Sequence, residues 1–281
     1  MADGREHFLY ASRQVIYVTR HYLTQRLREK TGSVVQYGIL KGYEVGVSDW
    51  AEAAAGTYLL GTYEAQVCAI LDMLKSPERV LIDIGAADGL YGVGLVAVGA
   101  FGRSLCFEAD ETRRQNLLEL SSRLGLADRV AIYGAADAAA ISRAIADHGI
   151  DTRKAVVVCD IEGGEFDLFD ASLLEILSDC QLIVETHDFL LKGAARSGTA
   201  LPELKLRAQQ FFNVHEIKDG LRYVRDIPLL AEWSDADTWM MCMEGRRRMM
   251  TWLYLAPKRE PVMRQEQIDA LIYEYQKRMF E

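Results

Sequence analysis

Long apolar runs are missing from this 281-residue chain. No stretch of about 18 consecutive apolar residues occurs, which excludes a transmembrane helix and makes a membrane partner unexpected. The opening MADGREHFLY has no apolar core of the kind that directs secretion, so a cytoplasmic location is expected. Proline is scarce, at 5, and half of the residues are hydrophobic against 26% charged, a composition that excludes disorder and collagen-like repeats. Cysteine is sparse and odd in number. The five residues, Cys68, Cys106, Cys159, Cys180 and Cys242, are isolated and never form a CxxC pair, which speaks against a disulfide framework and a cysteine zinc site. The centre of the chain also lacks positive charge. Residues 1–50 carry seven Lys/Arg against five Asp/Glu and residues 246–281 carry eight against five, so the middle holds net −14 of the total −9. Such a centre repels a phosphate backbone, and no nucleic-acid substrate is expected. The basic ends read as solvated helix faces.

What is present is a regular alternation. Residues 5–30 pattern as a helix, with Phe8, Val15 and Tyr22 in one column, Leu9, Ile16 and Leu23 in the next, Leu27 extending the stripe and Gly32 as the stop. These columns make a homodimer one expected use of the helix. Residues 34–47 look like a short hairpin and 62–74 like a helix ending before Pro77. Strands are then expected at 80–84, 104–108, 129–133, 155–161 and 181–187, separated by helices at 90–101, 111–124, 138–148 and 165–177. Fully apolar strands alternating with helices mean a parallel sheet covered on both faces. After a 189–202 loop, a helix near 203–211 leads to strands at 212–218, 222–228 and 251–256, among them a terminal antiparallel pair, and to an amphipathic helix after Pro261. The expected division is 1–50 as a helix and hairpin extension, 51–258 as the catalytic domain and 259–281 as a C-terminal helix.

The informative stretch is Asp83-Ile84-Gly85-Ala86-Ala87-Asp88-Gly89, which follows the first apolar strand. In open α/β sheets ligands bind beyond the carboxyl ends of the strands, and glycines there let backbone approach them closely. A dinucleotide site wants G-x-G-x-x-G, but the register from Gly85 finds Ala87 and Leu90. It would also set Asp83 and Asp88 beside a diphosphate. S-adenosylmethionine has no phosphate; it offers a sulfonium, an ammonium and a ribose diol, and acids around such a ligand are favourable. Glu108 ends the second strand, where a carboxylate can accept two hydrogen bonds from ribose hydroxyls.

These residues resemble class I S-adenosylmethionine-dependent methyltransferases, and within them the FkbM-like family. Asp83–Gly89 is similar to that family's D-x-G-A-N-x-G element with Ala87 in place of Asn, and Phe107-Glu108 to its F-E pair, followed here by Ala109 instead of Pro. Asp160-Ile161-Glu162-Gly163-Gly164-Glu165 is similar to its D-x-E-G-x-E element and Leu60-Gly61-Thr62-Tyr63-Glu64 to its G-x-Y-E segment. The resemblance covers roughly residues 55–190. It implies an α/β, Rossmann-like, seven-stranded, mostly parallel sheet with helices on both faces and an antiparallel last strand. It implies methyl transfer to an oxygen, often of a sugar or polyketide, with S-adenosyl-L-methionine as cofactor. Asp83, Gly85, Ala86, Gly89, Glu108 and Glu64 are then the expected cofactor contacts. Asp137, after the third strand, either faces the adenine or caps the next helix.

Asp160 and Glu162 alternate at the end of the fourth strand, and Glu185 and His187, followed by Asp188, at the end of the fifth. Glu165 stands in the first turn of a helix, where the dipole alone favours a carboxylate. Methyl transfer needs alignment of nucleophile, methyl and sulfur, and a hydroxyl acceptor also has a proton to lose. His187 and Asp160 are therefore the expected catalytic residues, with His187 as base. Glu162, Glu185 and Asp188 are the expected acceptor contacts. The same cluster also suits Mg²⁺ or Mn²⁺, but no metal is assigned. Trp233, Trp239, Met240, Met241 and Met243 read as core packing sooner than as a pocket wall. The expected activity is an O-methyltransferase acting on a small molecule or glycan; a nicotinamide-dependent oxidoreductase and a non-catalytic binding module are the alternatives.

Overall fold

The apolar runs assemble into one seven-stranded sheet in a computed structural model of the chain, which describes residues 4–45, 55–192, 194–219, 223–246 and 248–281. The strands are β1 Ser76–Ile84, β2 Phe101–Phe107, β3 Val130–Tyr133, β4 Ala155–Cys159, β5 Gln181–Thr186, β6 Phe212–Lys218 and β7 Thr251–Pro257. Their order is β3-β2-β1-β4-β5-β7-β6. Strands β3 to β5 pair in parallel, and β7 runs antiparallel to both β5 and β6. The mostly parallel sheet with a reversed last strand is therefore present. β4 and β5 are buried along their whole length, as strands covered on both faces must be.

The helices are α1 Gly4–Thr31, α2 Ala55–Leu60, α3 Ala65–Leu74, α4 Gly94–Ala97, α5 Glu111–Arg123, α6 Ala138–Asp147, α7 Glu165–Leu168, α8 Ala171–Ile176, α9 Ala194–Ala208, α10 Asp235–Cys242 and α11 Gln265–Arg278. The chain divides into two units, one from Met1–Ala65, Arg222–Arg248 and Glu274–Glu281, the other from Gln66–Leu221 and Met249–Tyr273. The second unit carries the sheet. On one face Ile82, Ile84, Val157, Cys159, Leu182 and Val184 pack with Phe169, Leu173 and Leu204. In the first unit Leu23 and Leu27 of α1 pack with Leu59, Leu60 and Met241. Trp233 and Met240 join that core while Trp239 and Met243 stay exposed, so this aromatic and methionine group is mainly packing.

Five local expectations are corrected. The helix expected over 90–101 is helical only at α4, because Gly92 is pressed against the Asp83 side chain and donates its N–H to it. The helix expected over 165–177 is two, α7 and α8, because Asp170 caps a new start by accepting from Leu173 N–H. The 189–202 segment is not a loop. Asp188–Leu190 forms a 3-10 turn and α9 then runs through Pro202. Burial of Ala200, Leu204 and Ala208 at every fourth position outweighs the lost proline N–H. Finally, 223–227 is no strand: Tyr223 spends its N–H on the Gln276 side chain, and β6 pairs with β7 instead. The expected hairpin at 34–47 is one antiparallel bridge, Val34 with Glu44, and its last two residues lie outside the described residues.

Candidate functional site

The strand order reverses between β2 and β4, on either side of β1, and the crevice beyond the carboxyl ends of such strands is where ligands bind. The loop leaving β1 is tied down there by its own backbone. Gly85 N–H and Ala86 N–H both donate to Phe107 O at 2.9 and 3.0 Å, Ala87 N–H donates to Glu108 Oε2 at 2.8 Å, and Gly89 N–H donates to Ala86 O at 2.7 Å. Gly85 has φ +87°, and a Cβ on it would stand 1.9 Å from Asp160 O, so only glycine fits this crossing. Ala87 takes a left-handed φ of +43° without being glycine. Four N–H groups that a phosphate loop would turn outward, those of Gly85, Ala86, Ala87 and Gly89, are thus spent inside the fold. Helix α4 is only four residues long and begins five residues past Gly89.

Acids line this crevice. Asp83 is buried and accepts from Gly92 N–H at 2.8 Å. Burial pushes its carboxyl up to about 7, and the charges of Asp160 and Glu108 add to the shift against that one hydrogen bond. Glu108, also buried, uses one oxygen on Ala87 N–H and the other on Asp110 N–H, both at 2.8 Å. Each oxygen keeps a second lone pair. No Lys or Arg among the described residues pairs with Asp83, Glu108 or Asp160.

A second cluster forms where β4 and β5 end side by side. The 160–165 turn passes through left-handed backbone at Glu162 (φ +53°) and Gly163 (φ +101°) and brings Glu165 underneath, fully buried. Glu165 accepts from Gly163 N–H at 2.8 Å, from His187 N–H at 2.5 Å and from His187 Nδ1 at 3.2 Å. A carboxylate only accepts, so Nδ1 carries the proton and Nε2 points outward. Around Nε2 stand Glu162 Oε2 and Glu185 Oε2 at 3.6 Å and Asp160 Oδ1 at 3.7 Å. Burial alone lowers the His187 pKa, but the Glu165 hydrogen bond and the charges of Asp160, Glu165 and Glu162 outweigh it and leave it raised.

The structure thus brings Asp160, Glu162, Glu185 and His187 together, as their strand-end positions suggested. Convergence comes from a turn rather than from strand alternation, since β4 ends at Cys159. Asp188 opens the following turn, outside the ring around Nε2. Asp137 is exposed and caps α6 by accepting from Ala140 N–H at 2.7 Å. Glu64 lies in the first unit, where Arg246 pairs with it and with Glu244. The residue that the sequence undervalued is Glu165. Its place in a first helical turn gives it a dipole role, whereas its contact with His187, 22 residues on, has no local signal.

No protein-family model matches the chain, and no curated protein matches it. Solved structures similar to it include the O-methyltransferase TomG from Streptomyces achromogenes in complex with SAM, at 12% identity over 76% of this chain and 82% of that one, TM-score 0.46. The O-methyltransferase from Bacillus cereus in complex with SAH aligns at 13% identity over 85% and 90%, TM-score 0.44. The C-terminal domain of precorrin-6Y C5,15-methyltransferase from Rhodobacter capsulatus aligns at 16% over 67% and 86%, TM-score 0.41.

Proposed function

We propose that this chain is an S-adenosylmethionine-dependent O-methyltransferase that methylates a hydroxyl of a small molecule or glycan. One observation carries the reading: Asp83, Glu108 and Asp160 stand together at the crevice where the strand order reverses, with no Lys or Arg among the described residues paired to them, and the N–H groups of Gly85, Ala86, Ala87 and Gly89 are already bonded within the fold. Such a site favours a cationic ligand without phosphate and disfavours a dinucleotide. When bound, the cofactor supplies a methyl group on a sulfonium. Glu108 offers its two free lone pairs to the ribose diol. Asp160 sets a negative field for the cationic end, Asp83 adds to it on losing its proton near pH 7, and Gly85 lets the backbone pass close beneath.

The acceptor is assigned to the rim of Asp160, Glu162 and Glu185, with Asp188 in the adjoining turn, where its hydroxyl loses a proton as the oxygen is methylated. Within the class, Asp160–Glu165 supports an FkbM-like assignment. Five free, buried cysteines fit a reducing compartment, which supports a cytoplasmic setting. Calorimetric titration with S-adenosylmethionine, S-adenosylhomocysteine and NAD tests the reading. Binding of the first two is expected; binding of NAD with no binding of the sulfonium compound overturns it.

A further inference from the structure

The groups around His187 Nε2 are spaced as ligands of one ion. One ligand atom each from Asp160, Glu185 and His187 lies within 4.8 Å of the other two. The separations from Nε2, 3.6 Å to Glu185 and 3.7 Å to Asp160, are too long for hydrogen bonds. Atoms held about 2.0–2.3 Å from a shared cation stand roughly 3–4.5 Å apart, so the cluster closes on a cation with a shift of a few tenths of an ångström. The imidazole is 4% exposed, makes no hydrogen bond at Nε2 and points into the cluster. Asp160 Oδ1 is buried without a hydrogen-bond partner. Beneath the ring, Glu165 accepts a hydrogen bond from Nδ1–H, the arrangement that fixes tautomer and orientation in metal-bound histidines. The ligands stand on the ends of two paired, fully buried strands, a rigid frame for such a site.

We propose that Asp160, Glu185 and His187 hold a divalent cation, with the Glu162 carboxylate at the solvent edge beside it. Two carboxylates and one imidazole fall between the all-oxygen sets of Mg²⁺ and the nitrogen-rich sets of Zn²⁺, and Mn²⁺ suits both ligand types. The existence of the site is independent of the methyltransferase reading, whereas its role rests on that reading. A cation there lowers the pKa of an acceptor hydroxyl docked against it. The O–H proton passes to Glu162, 73% exposed, and on to water. The oxygen then forms its bond to the methyl carbon as the carbon–sulfur bond breaks and the sulfur leaves as a neutral thioether. His187 is a ligand in this arrangement, in place of the base expected from the sequence.

The test uses the full chain, stripped of metal and titrated with Mn²⁺ under electron paramagnetic resonance. One tightly bound ion per chain is expected, with nitrogen modulation of the spin echo that disappears in His187→Gln. Asp160→Asn, at a partly exposed position that leaves the core intact, is expected to weaken binding at least thirtyfold. Glu165→Gln is expected to weaken it about tenfold to a hundredfold, and Glu175→Gln, on the exposed face of α8, to leave it unchanged. Failure of Mn²⁺, Zn²⁺ and Mg²⁺ to bind below millimolar concentration overturns the proposal, as does binding that Asp160→Asn leaves intact. Cation binding without binding of S-adenosylmethionine sinks the methyltransferase reading and leaves the metal site standing.

Discussion

Glu165 holds His187 at two points with a single carboxylate oxygen, 2.5 Å from its backbone N–H and 3.2 Å from its ring Nδ1. The same side chain pins Gly163 with its other oxygen. One buried acid therefore sets both the turn after β4 and the ring after β5, the two elements that face the proposed acceptor.

Glu108 clamps the β1 loop and is also assigned to the cofactor. Glu108→Gln keeps an acceptor for one N–H but loses the charge, and is expected to weaken S-adenosylmethionine at least tenfold in calorimetry. Glu108→Ala also leaves Ala87 and Asp110 N–H groups without their partner and is expected to cost about 2–3 kcal/mol of stability in addition. An affinity within threefold of the parent in both variants removes Glu108 from the cofactor site.

Asp83 makes stability depend on pH. Burial holds its folded-state pKa at about 7, above the ordinary aspartate value of 3.8, so the native state keeps a proton that the unfolded chain releases between those values. The penalty is absent below pH 4, grows as pH rises and is complete above about 7, on the order of 4 kcal/mol when full. Asp83→Asn preserves an acceptor for Gly92 N–H and removes the charge. Urea denaturation at pH 5 and pH 8 should show a smaller difference in Asp83→Asn than in the parent, with the variant the more stable at pH 8. An unchanged difference refutes the assignment.

Gly85 and Gly125 both have left-handed backbone, but only Gly85 faces an obstruction. Gly125→Ala is expected to cost about 1 kcal/mol, the local conformational term. Gly85→Ala carries that term plus displacement of the Asp160 carbonyl, and is expected to exceed 3 kcal/mol or abolish folding. Equal losses in thermal melts would mean that the crossing of the two loops is looser than 1.9 Å implies.

Helix α1 is buried unevenly. Leu27 is fully buried, while Val15 and Val18 are 66% and 62% exposed. Leu27→Ala is expected to destabilise by about 2–4 kcal/mol, and Val15→Asp with Val18→Asp by under about 1 kcal/mol. Light scattering of the parent and the double Asp variant also tests the homodimer expectation. A dimer that becomes a monomer supports pairing through α1; a monomeric parent ends it.

Much of the frame was legible because burial on both faces demands unbroken apolar runs. VLIDI, AVVVC and QLIV each announced a covered strand, and the glycine and acid spacing after the first marked the loop that leaves it. Misreadings fell where local signals and tertiary burial disagree. Pro202 marks a break by its own chemistry, yet Ala200, Leu204 and Ala208 find the core and carry α9 through it.

The sequence by itself determined the strand alternation, the β1 loop and the placement of acids at strand ends, since each depends on residues near one another in the chain. Only the tertiary structure decided which of the late strands pair, β6 with β7, that Glu165 reaches His187, and that the strand-end acids close to within 3.7 Å of His187 Nε2. Those relationships join residues 22 or more positions apart or on different strands, with no periodicity to record them. They arise when packing of the sheet fixes neighbouring strands in register, and side chains remote in the chain then occupy the same few ångströms.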